Sequence, residues 1–204
     1  YVILHYLADI DTIECIDSII KATSESIHEK IIIVVDNNSP NNSFCKVKNA
    51  FFENKQVIFI QNKENLGFAR GNNVGFLYAK YTYGADFVVQ INNDTIIKQK
   101  DFQERLVSKY KKKRYAVLGP DIISSDGYHQ NPGRKQGWTN LEIELFIIKK
   151  RIKILTSYFG KNISSLNDTS GDYWNSTVEG DVEDTILHGA CLIFSPDYIK
   201  KFAK

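Results

Sequence analysis

The chain has 204 residues and a mass of 23.4 kDa, enough for one domain with a proper core. Hydrophobic residues make up 43% and charged residues 25%, which excludes wholesale disorder. Lys and Arg number 26 against 24 Asp and Glu; the resulting net charge of +2 does not call for a nucleic-acid partner, and no apolar run approaches the roughly 18 residues of a membrane span.

Tyr1 to Leu7 is a short apolar run and predicts a strand at the very start, with no signal-peptide pattern before it. Asp11 followed by Glu14 has the form of a capping box, and Ile13, Ile16, Ile19 and Ile20 then recur at helical spacing. Ile31-Ile32-Ile33-Val34-Val35 is a continuous β-branched run, the pattern of a parallel strand buried on both faces. It ends in the turn formers Asp36-Asn37-Asn38-Ser39-Pro40. Val47, Ala50 and Phe51 suggest a second helix, and Val57 to Ile60 a third strand. After a polar loop, Gly71 to Tyr81 places Val74, Leu77, Tyr78 and Tyr81 on one helical face.

Phe87 to Ile91 predicts a fourth strand, closed by Asn92-Asn93-Asp94. Phe102, Leu106 and Tyr110 mark a helix whose end, Lys109 to Arg114, is basic, as a helix C-terminus favours. Tyr115 to Gly119 predicts a fifth strand. Ser125-Asp126-Gly127 signals a hairpin tip, Asn162 to Thr177 a polar loop, and Ile186 to Phe194 a strand interrupted by Gly189. Leu141 to Phe159 is apolar and basic together, and two readings stay open. One is an amphipathic helix packed on protein with its cations in water; the other is a helix lying on an anionic membrane surface.

Strands alternating with helices imply an α/β domain with a mostly parallel central sheet flanked by helices. Ligands of such sheets sit outside the carboxyl ends of the strands. The polar clusters at 36–39 and 92–94 fall at those ends, which is the strongest functional pointer the pattern gives. No linker, repeat or low-complexity tract interrupts the chain up to about Pro120, so one domain is expected over 1–204. Cys15, Cys45 and Cys191 are widely spaced, odd in number and without a C-x-x-C pair, which predicts buried free thiols in a reducing compartment. The chain contains no Met, which suggests a processed or trimmed sequence.

Each polar cluster admits a plain reading as a turn or cap and a functional one. Asp36 at the mouth of a buried strand can accept a base N–H. Asn65-Leu66-Gly67-Phe68-Ala69-Arg70-Gly71-Asn72-Asn73-Val74-Gly75 opens a helix with three glycines and a cation, Arg70, suited to phosphate, yet it matches neither the dinucleotide fingerprint nor a P-loop. In Asn92-Asn93-Asp94-Thr95, one carboxylate flanked by amide oxygens can hold a hard divalent cation once phosphates add ligands. His188 is a lone strand histidine, and no Ser-His-Asp order or G-x-S-x-G motif argues for a hydrolase.

In sequence order, Val35-Asp36-Asn37-Asn38-Ser39, Asn65 to Asn73, Asn92-Asn93-Asp94-Thr95 and Gly189-Ala190-Cys191-Leu192 resemble the motifs of family 2 glycosyltransferases of the GT-A fold, in particular the rhamnosyltransferase-like branch that builds bacterial surface polysaccharides. The resemblance implies an inverting enzyme that moves a sugar from a UDP- or dTDP-sugar to a saccharide or lipid-linked acceptor. It implies that Asp36 contacts the base and that Asn38, Ser39, Arg70, Asn73 and Asn93 line the nucleotide. Asp94 would reach a divalent cation, Mn or Mg, with His188 as a second ligand, and Gly189 and Ala190 would floor the donor sugar. Asn92 stands where the family often has Asp, which leaves one carboxylate in the motif. The family's general base lies after the Gly-Ala strand, so the catalytic residue is expected beyond Lys204. The implied location is the cytoplasm, at the inner membrane face if the basic helix docks there. The alternative is a GT-A module of a larger protein that binds nucleotide without catalysis.

Overall fold

The computed structural model describes residues 1–132, 139–158 and 180–202. Its contacts divide the chain into a unit of Tyr1–Pro120 with Gly189–Lys204 and a second unit of Asp121–His188.

In the first unit, β1 (Val2–His5), β2 (Ile32–Asp36), β3 (Val57–Gln61) and β4 (Val88–Asn92) run parallel. β6 (Cys191–Phe194) lies antiparallel to β4, and β5 (Val117–Leu118) antiparallel to β6. The sheet order is β3-β2-β1-β4-β6-β5. Every residue of β2 is buried, as its unbroken β-branched run predicts for a strand covered on both faces. β1 sits between β2 and β4, so the strand order reverses at β1, and its carboxyl end is the topological switch point of the sheet.

The helices follow the predicted spacing with shifted ends. α1 (Asp9–Ala22) buries Cys15, Ile16, Ile19 and Ala22. It starts two residues before the Asp11 signal, and its N-cap is Ala8, with no side-chain cap. α2 spans Ser43–Ala50 and α4 spans Phe102–Lys112. α3 runs from Gly67 to Tyr83, four residues earlier than the apolar spacing indicates. Gly67, at φ +76°, makes the sharp entry that moves the start forward.

α3 lies close on the sheet because Gly71 and Gly75 face it. A Cβ on Gly71 would stand 2.6 Å from Leu4 Cδ1, and one on Gly75 would stand 3.0 Å from Val35 Cγ2. These two glycines serve helix–sheet packing. α6 (Pro196–Phe202) closes the unit, and Asp197 takes Arg114 in an ion pair at 2.9 Å, so this cation of the basic run has a structural partner.

In the second unit, Ile123 and His129 bridge across the expected turn, with Gly127 at φ +83°. α5 (Asn140–Tyr158) opens on a capping box: Thr139 N donates to Glu142 Oε2 at 2.8 Å, and Glu142 N donates to Thr139 Oγ1 at 3.3 Å. The loop expected at Asn162 to Thr177 lies outside the described residues. The predicted strand from Ile186 is real only from Cys191, so His188 is not a strand residue. Of the three thiols, Cys15 and Cys191 are buried as expected and Cys45 is exposed. Among the described residues, no helix is long and apolar enough to cross a membrane.

Candidate functional site

The carboxyl ends of the four parallel strands carry His5, Asp36, Gln61 and Asn92, and the strand register aligns them along one edge of the sheet. Because β6 runs the other way, its beginning lies at this edge too. Asn92 N donates to Ala190 O at 2.8 Å, which seats Gly189-Ala190 beside the start of the Asn93-Asp94 turn. Motifs separated by more than 150 residues therefore meet at one edge of the unit. Ala190 is buried and Gly189 is open, with nothing within 4 Å of a Cβ built on it.

Asp36 is fully buried at the end of β2. Its carboxylate accepts the Ser39 backbone N–H at 3.2 Å and Gln61 Nε2 at 3.2 Å. Ser39 Oγ accepts Leu7 N at 3.0 Å, which ties the loop after β2 to the loop after β1. Both loops turn sharply, with Leu7 at φ +68° and Asn38 at φ +63°; asparagine tolerates that region well. Asn38 is exposed.

Asn37 is the residue the sequence reading passed over. It is 3% exposed, and its side chain makes four hydrogen bonds. Nδ2 donates to Asn65 Oδ1 at 2.8 Å and to Gly67 O at 3.4 Å, while Oδ1 accepts Asn62 Nδ2 at 3.2 Å and Leu66 N at 3.0 Å. This one amide fixes the 62–67 loop against the end of β2. From there α3 projects Arg70 and Asn73, three residues apart on one exposed face, while Asn72 turns inward to donate to Phe68 O at 3.0 Å.

His5 was also missed, although a polar residue closing an apolar strand was a signal. It is fully buried and stacks on Phe44. Its Nδ1 lies 2.8 Å from Thr12 Oγ1 and its Nε2 lies 2.9 Å from Ser43 Oγ. Thr12 Oγ1 spends its own proton on Ala8 O at 2.7 Å, so it accepts from Nδ1–H and from Asn93 Nδ2 at 3.1 Å. His5 thus connects the start of α2, through Ser43, with the turn after β4, through Thr12 and Asn93. Burial pushes its pKa down, opposed by Asp36 and Asp9.

The turn after β4 offers one exposed carboxylate, Asp94, beside Asn93, whose Nδ2 is committed to Thr12. Among the described residues, no group of three His, Cys, Asp or Glu gathers to hold a metal. This donor set suits a hard cation only when a ligand brings further oxygens. His188 belongs to the second unit, where its backbone N donates to Asn131 Oδ1 at 3.0 Å. Cys15 and Cys191, near this turn, are held inert by burial, which pushes both thiols up to about 12. A cavity of about 630 Å³ opens among Tyr1, Ile31, Phe87 and Pro196, around the amino ends of the parallel strands, and contains none of the candidate residues.

Residues 10–167 match the family model described as Glycosyl transferase family 2. No curated protein matches the chain. Among solved structures, S. aureus TarS 1-349 is 18% identical at a TM-score of 0.52, covering 62% of this chain and 36% of its own. The same protein in complex with UDP-GlcNAc gives a TM-score of 0.50 at 18% identity, covering 59% of this chain and 33% of its own. The mannosyltransferase PcManGT from Pyrobaculum calidifontis, in complex with GDP-Man and Mn2+, is 11% identical at a TM-score of 0.56 and covers 98% of this chain and 45% of its own. At these identities the likeness is one of fold, and the fold is GT-A. The chain spans between a third and a half of the length of these neighbours.

Proposed function

The chain belongs to glycosyl transferase family 2, and from that premise we propose that its carboxyl sheet edge binds a UDP- or dTDP-sugar and transfers the sugar, with inversion, to a saccharide or lipid-linked acceptor. The observation that carries the proposal is the convergence of Asp36, the Asn93-Asp94 turn and Gly189-Ala190 on one edge of one sheet. The rhamnosyltransferase-like motif order and an envelope-polysaccharide role are part of the same proposal.

Asp36 accepts the imide N–H of the base. The Gln61 amide that now donates to Asp36 Oδ2 comes from an exposed side chain and gives way to it. Asn38 and Ser39 line the base and ribose side. Arg70 and Asn73 flank the nucleotide from α3, the guanidinium supplying charge to the diphosphate. Gly189 and Ala190 leave room for the sugar because neither carries a side chain beyond a methyl.

Asp94, with Asn93 beside it, would hold a divalent cation. When bound, that cation would stabilise the departing diphosphate. The acceptor hydroxyl gives its proton to a general base. The neighbours' complexes, UDP-GlcNAc on TarS and GDP-Man with Mn2+ on the mannosyltransferase, support a nucleotide-sugar donor.

A donor screen tests this reading. UDP, dTDP and GDP sugars are titrated with and without manganese. Saturable binding of a uracil or thymine nucleotide supports it, and preference for GDP removes the assignment of Asp36 to an imide.

A further inference from the structure

α5 carries Leu141, Leu145, Ile148 and Ile152 at alternating spacings of four, three and four, which places them in one row along the helix. All four are exposed, at 65%, 49%, 50% and 43%. A second row, Ile143, Ile147 and Ile154, is interrupted by Lys150 where the spacing would continue. A helix of this length draws most of its stability from burying an apolar face, and the unbroken row is the face available.

The charge on α5 is divided by halves. Glu142 and Glu144 stand in the first turns, and Lys149, Lys150, Arg151 and Lys153 in the later ones. We propose that the row is covered by α5 of a second copy of this chain, running antiparallel. Antiparallel pairing lays the acidic half of one helix on the basic half of the other. With Leu145 opposite Ile148 of the second copy and Leu141 opposite its Ile152, Glu144 comes beside Arg151, and two-fold symmetry repeats the pair. Parallel pairing would set the basic half against the same basic half. An anionic membrane is the poorer partner, because Glu144 borders the apolar row and would be drawn to a surface of its own sign, whereas interfacial helices keep cations beside the lipid.

The test is sedimentation velocity on the whole chain over a concentration series. The parent protein forms a dimer. Arg151→Glu and Glu144→Arg each weaken it by roughly five- to thirtyfold, the effect of turning two exposed attractive pairs into repulsive ones. The double swap Glu144→Arg with Arg151→Glu restores the parent constant. Ile148→Asp yields monomer with its circular dichroism otherwise unchanged. A parent that stays monomeric at every concentration overturns the proposal. So does a dimer indifferent to the swaps, or a monomer that sediments with phosphatidylglycerol vesicles, which would assign the row to lipid.

Discussion

The side chains of Asn37 and Asn65 meet at 2.8 Å, amide to amide, and so join the end of β2 to the loop that launches α3. Asn37 donates there, and its Oδ1 accepts from Asn62 and Leu66, so both its donor and acceptor sides are used. The two loops that flank the proposed nucleotide are therefore one hydrogen-bonded body.

Asn37→Ala should cost about 1–3 kcal/mol of stability, the cost of leaving Asn62, its buried partner, without a hydrogen bond, while water satisfies the exposed Asn65 and Gly67. Urea unfolding measures it. Amide exchange at 62–67 should rise more than at β2, and uniform exchange would deny the tie a local role.

Gly75→Ala sets two effects against each other. Helix propensity favours alanine by about 1 kcal/mol. A new Cβ would press on Val2 and Val35, both fully buried, stiff and held in strands. Overpacking of that kind costs about 1–3 kcal/mol, so the variant should be less stable than the parent. Gly71→Ala should cost less, since its first obstacle is the far end of Leu4. A higher melting temperature for Gly75→Ala would show that α3 stands further from the sheet than described.

His5 gives a pH dependence. Burial lowers its pKa from the usual 6.5. Between 6.5 and the lower folded value, the unfolded chain binds more protons than the folded one, so stability rises with pH across that window. Above 6.5 the contribution is complete; on acidification it is lost until the folded imidazole protonates. His5→Gln keeps a hydrogen-bonding group and should flatten this part of the profile. An unchanged slope in the variant would mean that other groups set it.

The parallel sheet was legible because Ile31 to Val35 and the alternation of strands and helices leave few other folds. The ends of elements were less so. α3 begins at Gly67 through a positive φ that hydropathy does not record, and β6 begins at Cys191 because its pairing stops at Ile91. Asp36, Asn93 and Asp94 were visible as polar residues closing apolar strands. Asn37 stood in the same motif, but its four partners come from a loop 25 to 30 residues on, and only folding brings them together. The α5 sequence left packing and membrane open, and exposure of its apolar row brought a further partner into view.

Asp36→Ala should weaken UDP or dTDP binding by about 1.5–3 kcal/mol, the range for a hydrogen bond to a charged group. Gln61→Ala, which removes only the exposed donor competing for the same oxygen, should leave binding equal or slightly tighter. Equal affinity in Asp36→Ala and the parent, with the fold intact, would free Asp36 from the base.

The carboxyl sheet edge is proposed to take a nucleotide diphosphate and a cation together. Titration calorimetry with Mn2+ alone, UDP or dTDP alone, and both, on the parent and on Asp94→Asn, tests it most directly. With a single carboxylate in the turn, the metal should bind poorly by itself and well with nucleotide, and each should tighten the other by the same factor. Asp94→Asn should abolish that coupling and keep the metal-free nucleotide affinity. Tight metal binding without nucleotide, or nucleotide affinity indifferent to metal in the parent, would contradict the account and leave Asn92-Asn93-Asp94 as a turn.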